Sequence, residues 1–483
     1  MDGARSQIWV NPGVEPTTSD DHSAPRTAHL IGIAGSGMRS LAAVLIRRGW
    51  RISGSDTDQT SSHSLARLGA TIYDCHAALN VPVDAQLVIH SDAIPADNIE
   101  RRRAAELAIP AKSYPEMLAE LGHGSATFAV AGTHGKSTTT AMAAAAMVRA
   151  GLDPTVICGA SPIGCLTGGR AGAASLLLVE SCEYRANFLR LRPDVAVVLG
   201  VEQDHFDFFR SRRQLSEAFR RFAGQVRPEG LLLVNHDCRT SRRLTRDVNC
   251  WTRTFGFDRR ADWTAKHLQT LRGRYRFWLV ERGRPLAEVA LQVPGKHNVS
   301  NALAAAALAT AAGASADTIA AALSSFRGIR RRIELVGRRG GITFIDDYAH
   351  HPTEIHATLT TVRQMYPGRR IWCVFQPHQV SRTASLLDEL AASLHNADKI
   401  AVAEIFRARE PSVRPGDVTA ADLAAAVAAA GDDVLEEHDW IGIVRRVAAG
   451  IRPGDVLITM GAGDIGKIRQ AIYQRLRKDR ARS

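Results

Sequence analysis

The sequence predicts an α/β protein of three consecutive domains, each a largely parallel sheet covered by helices. Three observations predict it. The chain has 483 residues, too many for a single hydrophobic core. Short apolar runs alternate with helical stretches along the chain, the rhythm of βαβ units. Several of these runs end in a glycine turn, an acidic residue or a histidine, and parallel α/β sheets carry their chemistry at the carboxyl ends of strands.

The elements follow in order. Residues 1–26 are polar, rich in Pro, Ser, Thr and Asp, and lack an apolar h-region, so they are expected to form a disordered tail and not a signal peptide. "HLIGIAGSGMRSLAAVLIRRGW" reads as strand, glycine turn and helix. "RISGSD" is a second strand, "LARLGATIY" a helix-to-strand passage and "AQLVIHSDAI" a further strand. The Gly/Ser/His junction in "LAELGHGSA" closes a first domain over 27–122. A second domain, 123–328, opens with "TFAVAGTHGKS", continues through the strands "SLLLVESCEYR" and "VAVVLGVEQDHFDFF", and closes on the helical "GKHNVSNALAAAALATAAG". A third, 329–483, starts with "RRIELVG" and contains the strands "ITFIDDYAH", "IWCVFQPH", "KIAVAEIF" and "DVLITMGAGDI" between alanine-rich helices.

Composition narrows the function. Hydrophobic residues make up 45% and charged residues 23%, which is ordinary for a soluble globular protein. No apolar run approaches the roughly 18 residues needed to span a bilayer, so no membrane insertion is expected. The net charge of +12 permits nucleic acid, membrane surface or small acidic ligands as partners. The arginines are scattered, as in Arg47-Arg48 and Arg101-Arg102-Arg103, with no aromatic-interleaved stripe. They read first as a solvated surface and next as contacts for small polyanions; no nucleic-acid partner is expected. Seven cysteines without C-x-x-C spacing suggest neither a disulfide framework nor a zinc site, and fit a reducing cytoplasm.

Only seven of the 61 basic residues are lysines, so a lysine in a glycine-rich loop is informative. Lys136 is one. Gly135, Lys136 and Ser137 match the end of a phosphate-binding loop, although Val130 stands where its first glycine would be and Gly132 makes the loop tighter. Backbone N–H groups over Gly132, Thr133, His134, Gly135 and Thr138, at a helix N-terminus, suit phosphates. Lys136 can reach the outer phosphates and the Ser137 hydroxyl can hold Mg2+. In the first domain, Gly32, Ala34 and Gly37 form G-x-A-x-x-G with Asp56 at the end of the next strand. That is close to a dinucleotide fingerprint and leaves open an NAD-dependent dehydrogenase.

"GTHGKS" followed by "TTT" resembles the ATP loop of the Mur ligase family. "DHFDFF", "GKHNVSN", "DDYAHHPTE", "FQPHQVSRT" and "MGAGDI" resemble further motifs of that family, and the resemblance runs from about His29 to Lys467. It implies a Rossmann-like UDP-binding domain, a central P-loop ATPase-like domain and a Rossmann-like C-terminal domain. The implied activity is ATP-dependent ligation of L-alanine to the lactyl carboxylate of UDP-N-acetylmuramate through an acyl phosphate. A ligase attaching a preformed peptide to the same sugar is the alternative. The implied state is a monomer or weak homodimer.

By the same resemblance Gly35, Ser36, Gly37 and Met38 lie near the UDP-sugar diphosphate, with Ser55, Asp56 and Ser91 nearby and His76 as a further contact or a surface histidine. His297, Asn298 and Asn301 face the adenine and ribose, or cap a helix, and Arg332 grips ATP phosphate. The implied metal ligands are Ser137, Glu183 and His205, with Glu180 as an alternative to Glu183. Lys136, Arg332, His350 and His351 are the implied catalytic groups, and Asp346 and Asp347 precede the histidine pair. His350, His378, Arg382 and Arg409 are expected around the amino acid. The chain departs from the family in reading "ESCEYR" for E-A-D-E-S-D, which places Tyr184 and Arg185 near the metal. Gln379 replaces one of two arginines expected for the amino-acid carboxylate, and Arg407 or Arg409 could restore the charge. No lysine occurs between Lys136 and Lys266, so a carbamylated lysine is not available.

Overall fold

The computed structural model describes residues 25–408, 410 and 414–479. The tail expected over 1–26 lies outside the described residues except for Pro25 and Arg26, and Arg409 lies outside them too. Three sheets form, one after another along the chain.

The first sheet contains β1 (Thr27–Ile31), β2 (Arg51–Ser55), β3 (Thr71–Tyr73), β4 (Leu87–His90) and β5 (Ala111–Ser113), all parallel, in the order β3-β2-β1-β4-β5. The order reverses beside β1, which opens a crevice at the strands' carboxyl ends. The helix Ser36–Arg47 starts there. It buries Leu41, Val44 and Leu45 against Leu30, Ile52 and Ile89, each burial contributing about 1.5–3 kcal/mol. Gly37 sits under the Tyr114 hydroxyl so closely that any Cβ would collide with it.

The second sheet has ten strands: β6 (Ala126–Ala131), β7 (Thr155–Ile157), β8 (Gly169–Arg170), β9 (Leu176–Glu180), β10 (Val195–Val198), β11 (Leu231–Asn235), β12 (Trp251–Phe255), β13 (Trp263–Leu271), β14 (Arg274–Glu281) and β15 (Arg284–Pro294). β7, β9, β6, β10, β11 and β12 run parallel. β13–β15 form an antiparallel meander that the βα rhythm does not anticipate. Its hairpins turn on Arg272-Gly273 and Arg282-Gly283, all four residues with positive φ, as two-residue hairpins favour. Between meander and parallel strands lie the helices Lys136–Arg149 and Lys296–Ala311. Their alanine faces, including Ala143, Ala144, Ala305 and Ala306, are fully buried and allow close packing.

The third sheet contains β16 (Glu334–Arg339), β17 (Ile342–Asp347), β18 (Ile371–Phe375), β19 (Lys399–Val402) and β20 (Val456–Met460), in the order β16-β17-β20-β18-β19, with only β16 antiparallel. Among the described residues no helix is long and apolar enough to cross a membrane, and the cysteines form no disulfide.

Candidate active site

The carboxyl ends of β6, β9, β10, β17 and β18 face a cleft between the second and third sheets. β6 leads into Gly132–Gly135 and the helix that begins at Lys136. Gly135 has φ of +80°, and a Cβ there would strike the Asn301 side-chain oxygen. Glycine is therefore required twice at this position, for conformation and for space. Lys136 curls back over its own loop. Its Nζ donates to the Gly132 carbonyl at 2.6 Å and the Thr133 carbonyl at 3.1 Å, and to Glu183 Oε2 at 2.9 Å. Burial opposes the Lys136 charge, but Glu183 outweighs it and holds the ammonium above the usual lysine range. Burial likewise opposes the Glu183 charge, and Lys136 and His205 overcome it.

Of the three residues expected to share a metal, Glu183 and His205 stand together, and Ser137 is bonded to the alternative, Glu180. The Ser137 hydroxyl donates to Glu180 Oε1 at 3.0 Å, and Glu180 Oε2 accepts from the Gly159 N–H at 2.6 Å. Glu183, bonded to Lys136, has His205 Nε2 at 3.7 Å and the Cys182 thiol in the same cluster. Glu180 ends β9 and Glu183 lies beyond it. Both carboxylates thus border the loop, Glu180 at Ser137 and Glu183 at Lys136, and with the Ser137 hydroxyl they offer hard oxygens that suit Mg2+.

A second set of charges joins the loop to the third sheet. His134 Nδ1 meets Glu354 Oε1 at 3.0 Å and its Nε2 lies 3.4 Å from Glu202. Burial opposes the imidazolium, but Glu202 and Glu354 outweigh it and raise its pKa to about 9. Arg332 shares Glu354 at 3.5 Å and lies over the Tyr348 ring, which brings it beside the loop. Asp346 pairs with Arg469 at 2.7 Å. Asp347 accepts from the Ile333 and Ala349 N–H groups, and burial pushes its carboxyl up to about 6 against the pull of Arg332.

The adjacent histidines differ. His350 Nδ1 lies 3.0 Å from the Tyr348 carbonyl, which can only accept, so Nδ1 carries the proton and Nε2 keeps its lone pair. Burial, reinforced by Arg382, lowers the His350 pKa to about 4, so the ring is neutral near pH 7. His351 has both nitrogens engaged. Nδ1 accepts from the Thr353 N–H at the start of the helix Pro352–Met365, and Nε2 faces the Gln203 carbonyl at 3.3 Å. Arg382 forms a buried pair with Asp204 at 2.6 and 2.9 Å and donates to His378 Nδ1 at 2.7 Å. Gln379 is buried and has φ of +67°. Arg407 pairs with Asp417 at 3.1 Å.

Asn298 and Asn301 are buried and bonded to each other at 3.0 Å, and Asn301 reaches Thr139 at 3.3 Å. They clasp the two alanine-rich helices at the loop, while His297 beside them is exposed.

The first-domain residues divide in the same way. Gly35 and Ser36 are exposed at the helix start, with Gly37 half-buried. Met38 is buried in the core, so only its N–H can face a ligand. Ser55 is fully buried, and its hydroxyl is taken by Glu100 and His76. Asp56 braces the loop by accepting from the Ala34 N–H at 2.9 Å and the Asp58 N–H at 2.9 Å. Ser91 is half-buried at the end of β4. Arg185 donates to the Asp92 carbonyl at 2.5 Å and Asn187 to its carboxylate, so the "ESCEYR" turn crosses to the first domain. Arg185 and Ala186 hold positive φ there.

Three family models match the chain in series: Mur ligase family, catalytic domain, over 27–125; Mur ligase middle domain, over 130–309; and Mur ligase, glutamate ligase domain, over 331–463. A UDP-N-acetylmuramate–L-alanine ligase of Alkaliphilus metalliredigens is 36% identical over 462 residues, 94% of this chain and 98% of that one. A ligase of the same name from Oleidesulfovibrio alaskensis is 40% identical over 444 residues, covering 92% and 97%. Among solved structures, UDP-N-acetylmuramate-alanine ligase of Thermotoga maritima superposes with a TM-score of 0.79 at 25% identity, covering 94% of this chain and 99% of that one.

Proposed function

From the premise that this chain belongs to the Mur ligase family, matched in all three of its domains, we propose that it joins L-alanine to the lactyl carboxylate of UDP-N-acetylmuramate at the expense of ATP. The observation that carries this reading is the Lys136 loop, set opposite Arg332 and His350 across one cleft.

A carboxylate is a poor electrophile. Its oxygen attacks the γ-phosphorus of ATP, the bond to the bridging oxygen breaks, and ADP and an acyl phosphate result. Lys136 and Arg332 offset the charge that develops on the transferred group. Mg2+ would supply further charge neutralisation on the phosphates, and Ser137, Glu183 and His205, with Glu180 as the alternative carboxylate, are the residues that would hold it. The alanine amine then attacks the acyl carbon. The Nε2 lone pair of neutral His350 accepts the amine proton, and phosphate leaves with one oxygen of the original carboxylate. His351 positions this machinery through its two hydrogen bonds. Arg382 and His378 frame the amino acid. The exposed start of the helix Ser36–Arg47 faces the diphosphate of the UDP-sugar, with Asp56 holding its loop in shape. Residues 27–122, 123–328 and 329–483 act as the UDP-sugar, ATP and amino-acid domains.

The test is phosphate release from ATP and Mg2+ with UDP-N-acetylmuramate and a panel of L-alanine, glycine, L-serine and a tripeptide. L-Alanine should give the highest kcat/KM. Turnover confined to the tripeptide would overturn the alanine reading, and turnover with none of the acceptors would overturn the ligase reading.

A further inference from the structure

The phenol of Tyr114 has no role in the reaction above and no partner of its own. Tyr114 follows β5 directly and opens the helix Tyr114–Leu121. Its backbone is held firmly. The Ser113 N–H and hydroxyl donate to Glu116 Oε2 at 2.8 and 2.6 Å, and Pro115 fixes the next φ. From this turn the ring reaches the first turn of the helix Ser36–Arg47. A Cβ on Gly37 would stand 2.5 Å from the Tyr114 hydroxyl oxygen and 2.7 Å from the ring carbon that carries it. The side chain is half-buried, and among the described residues nothing hydrogen-bonds to that hydroxyl. Burial first, and then the nearby Glu180 carboxylate, hold the phenol above the ordinary tyrosine range, so it keeps its proton near neutral pH. A half-buried O–H without an acceptor is an unfavourable arrangement that a ligand oxygen would relieve.

The sheet order gives that ligand a direction. The strands run β3-β2-β1-β4-β5, with the crevice between β1 and β4. Asp56 follows β2, and an acidic residue after the second strand is where such folds meet a ribose. The uridine end of the nucleotide therefore belongs on the β2 side. Tyr114 follows β5, on the opposite side of the crevice. That is also the side of Glu180, which borders the phosphate loop at Ser137, where the sugar's carboxylate has to arrive.

We propose that Tyr114 is a binding residue for the UDP-sugar: its hydroxyl donates to an oxygen of the phosphate that carries the sugar, and not of the phosphate that carries uridine. The proposal rests on the UDP-sugar reading of the first domain and adds to it. The helix N-terminus meets the diphosphate with backbone N–H groups, and Tyr114 meets it from the β5 side with an O–H. A bond of this kind to an ionised oxygen is stronger than one between neutral groups. It also separates a diphosphate from a monophosphate, since a nucleotide that ends at its first phosphate leaves the phenol unpaired.

Tyr114→Phe removes the hydroxyl and keeps the ring over Gly37. Binding to the full chain is read by calorimetry with UDP-N-acetylmuramate, UDP, UMP and ATP as probes. The variant should weaken UDP-N-acetylmuramate and UDP alike, by about 10-fold or more. UMP and ATP should bind both proteins equally. In phosphate release the KM for UDP-N-acetylmuramate should rise by the same factor with kcat unchanged, the mark of a contact made equally in ground and transition states. Unchanged affinity for UDP overturns the proposal. So does a loss confined to UDP-N-acetylmuramate, which would move the contact to the sugar, or an equal loss with UMP, which would move it to the uridine phosphate. An equal loss with ATP would reduce the hydroxyl to a packing role between domains and overturn it too. An unaltered chain that binds ATP but neither UDP nor UDP-N-acetylmuramate would instead overturn the UDP-sugar reading itself.

Discussion

Lys136 concentrates the argument at the scale of single residues. It is held by two carbonyls of its own loop and by buried Glu183. Lys136→Met should lower phosphate transfer by about 10³-fold or more. It should also destabilise the fold by about 3 kcal/mol, because buried Glu183 loses its nearest counter-charge and keeps only His205 at 3.7 Å. Adding Glu183→Gln should return the denaturation midpoint toward the original value without returning turnover. A double variant as unstable as the single one would contradict the pairing. His134 gives a prediction in pH. Its folded pKa of about 9 lies above the ordinary value of 6.5, so its contribution to stability is complete below about pH 6.5 and is lost as pH rises through about 9. The stability gap between the unaltered chain and His134→Gln, measured by urea unfolding, should therefore be widest at pH 6 and narrow by pH 10; a constant gap would count against it.

Lys136 itself was legible in the sequence, since its scarcity and the flanking glycines and helix speak together. The partner of Ser137 was not. Two glutamates three residues apart at a strand end cannot be ranked by spacing, and in the structure both border the loop, Glu180 at Ser137 and Glu183 at Lys136. Ser55 was equally opaque, because Glu100, which takes its hydroxyl, lies 45 residues further along.

At the scale of elements, the loop depends on the helix Lys296–Ala311. Asn301 reaches the Gly135 turn, and Asn298 anchors Asn301. Gly135→Ala should cost at least about 1 kcal/mol from the positive φ alone and should raise the KM for ATP by displacing Asn301. Unchanged stability and KM would mean that the clasp is slack. The parallel strands and their order of appearance could be read from apolar runs ending in special residues. The meander β13–β15 was passed over because its strands bury only one face. In "RYRFWLVE" polar and apolar residues alternate, a period-2 signal weaker than the continuous apolar runs around it. The Arg-Gly pairs at both turns were the available sign.

At the scale of the whole molecule, the three domains are joined unequally. The first packs closely on the second, with the Ser40 hydroxyl donating to the Cys158 carbonyl at 2.6 Å and Gly169 pressed against the Ser40 carbonyl. The third meets the second through charged and polar contacts: Arg382 with Asp204, His134 with Glu354, and Thr353 with Glu202 at 2.7 Å. Such an interface can open as a rigid body, letting substrates in and then excluding water from an acyl phosphate. Asp204→Ala leaves Arg382 buried and unpaired, so the third domain should undock and the radius of gyration from small-angle scattering should rise. An unchanged scattering curve would contradict a hinge held by this pair. No sequence signal joins Asp204 to Arg382 across 178 positions, which is why the arginine was expected to face the amino acid alone.

The claim on which all three scales converge is that the sugar's carboxylate is phosphorylated before nitrogen attacks it. UDP-N-acetylmuramate carrying oxygen-18 in its lactyl carboxylate, incubated with the protein, ATP, Mg2+ and L-alanine, tests this directly. The account predicts that each phosphate released carries one oxygen atom from that carboxylate. Phosphate free of the label, with the amide formed at the normal rate, would contradict it.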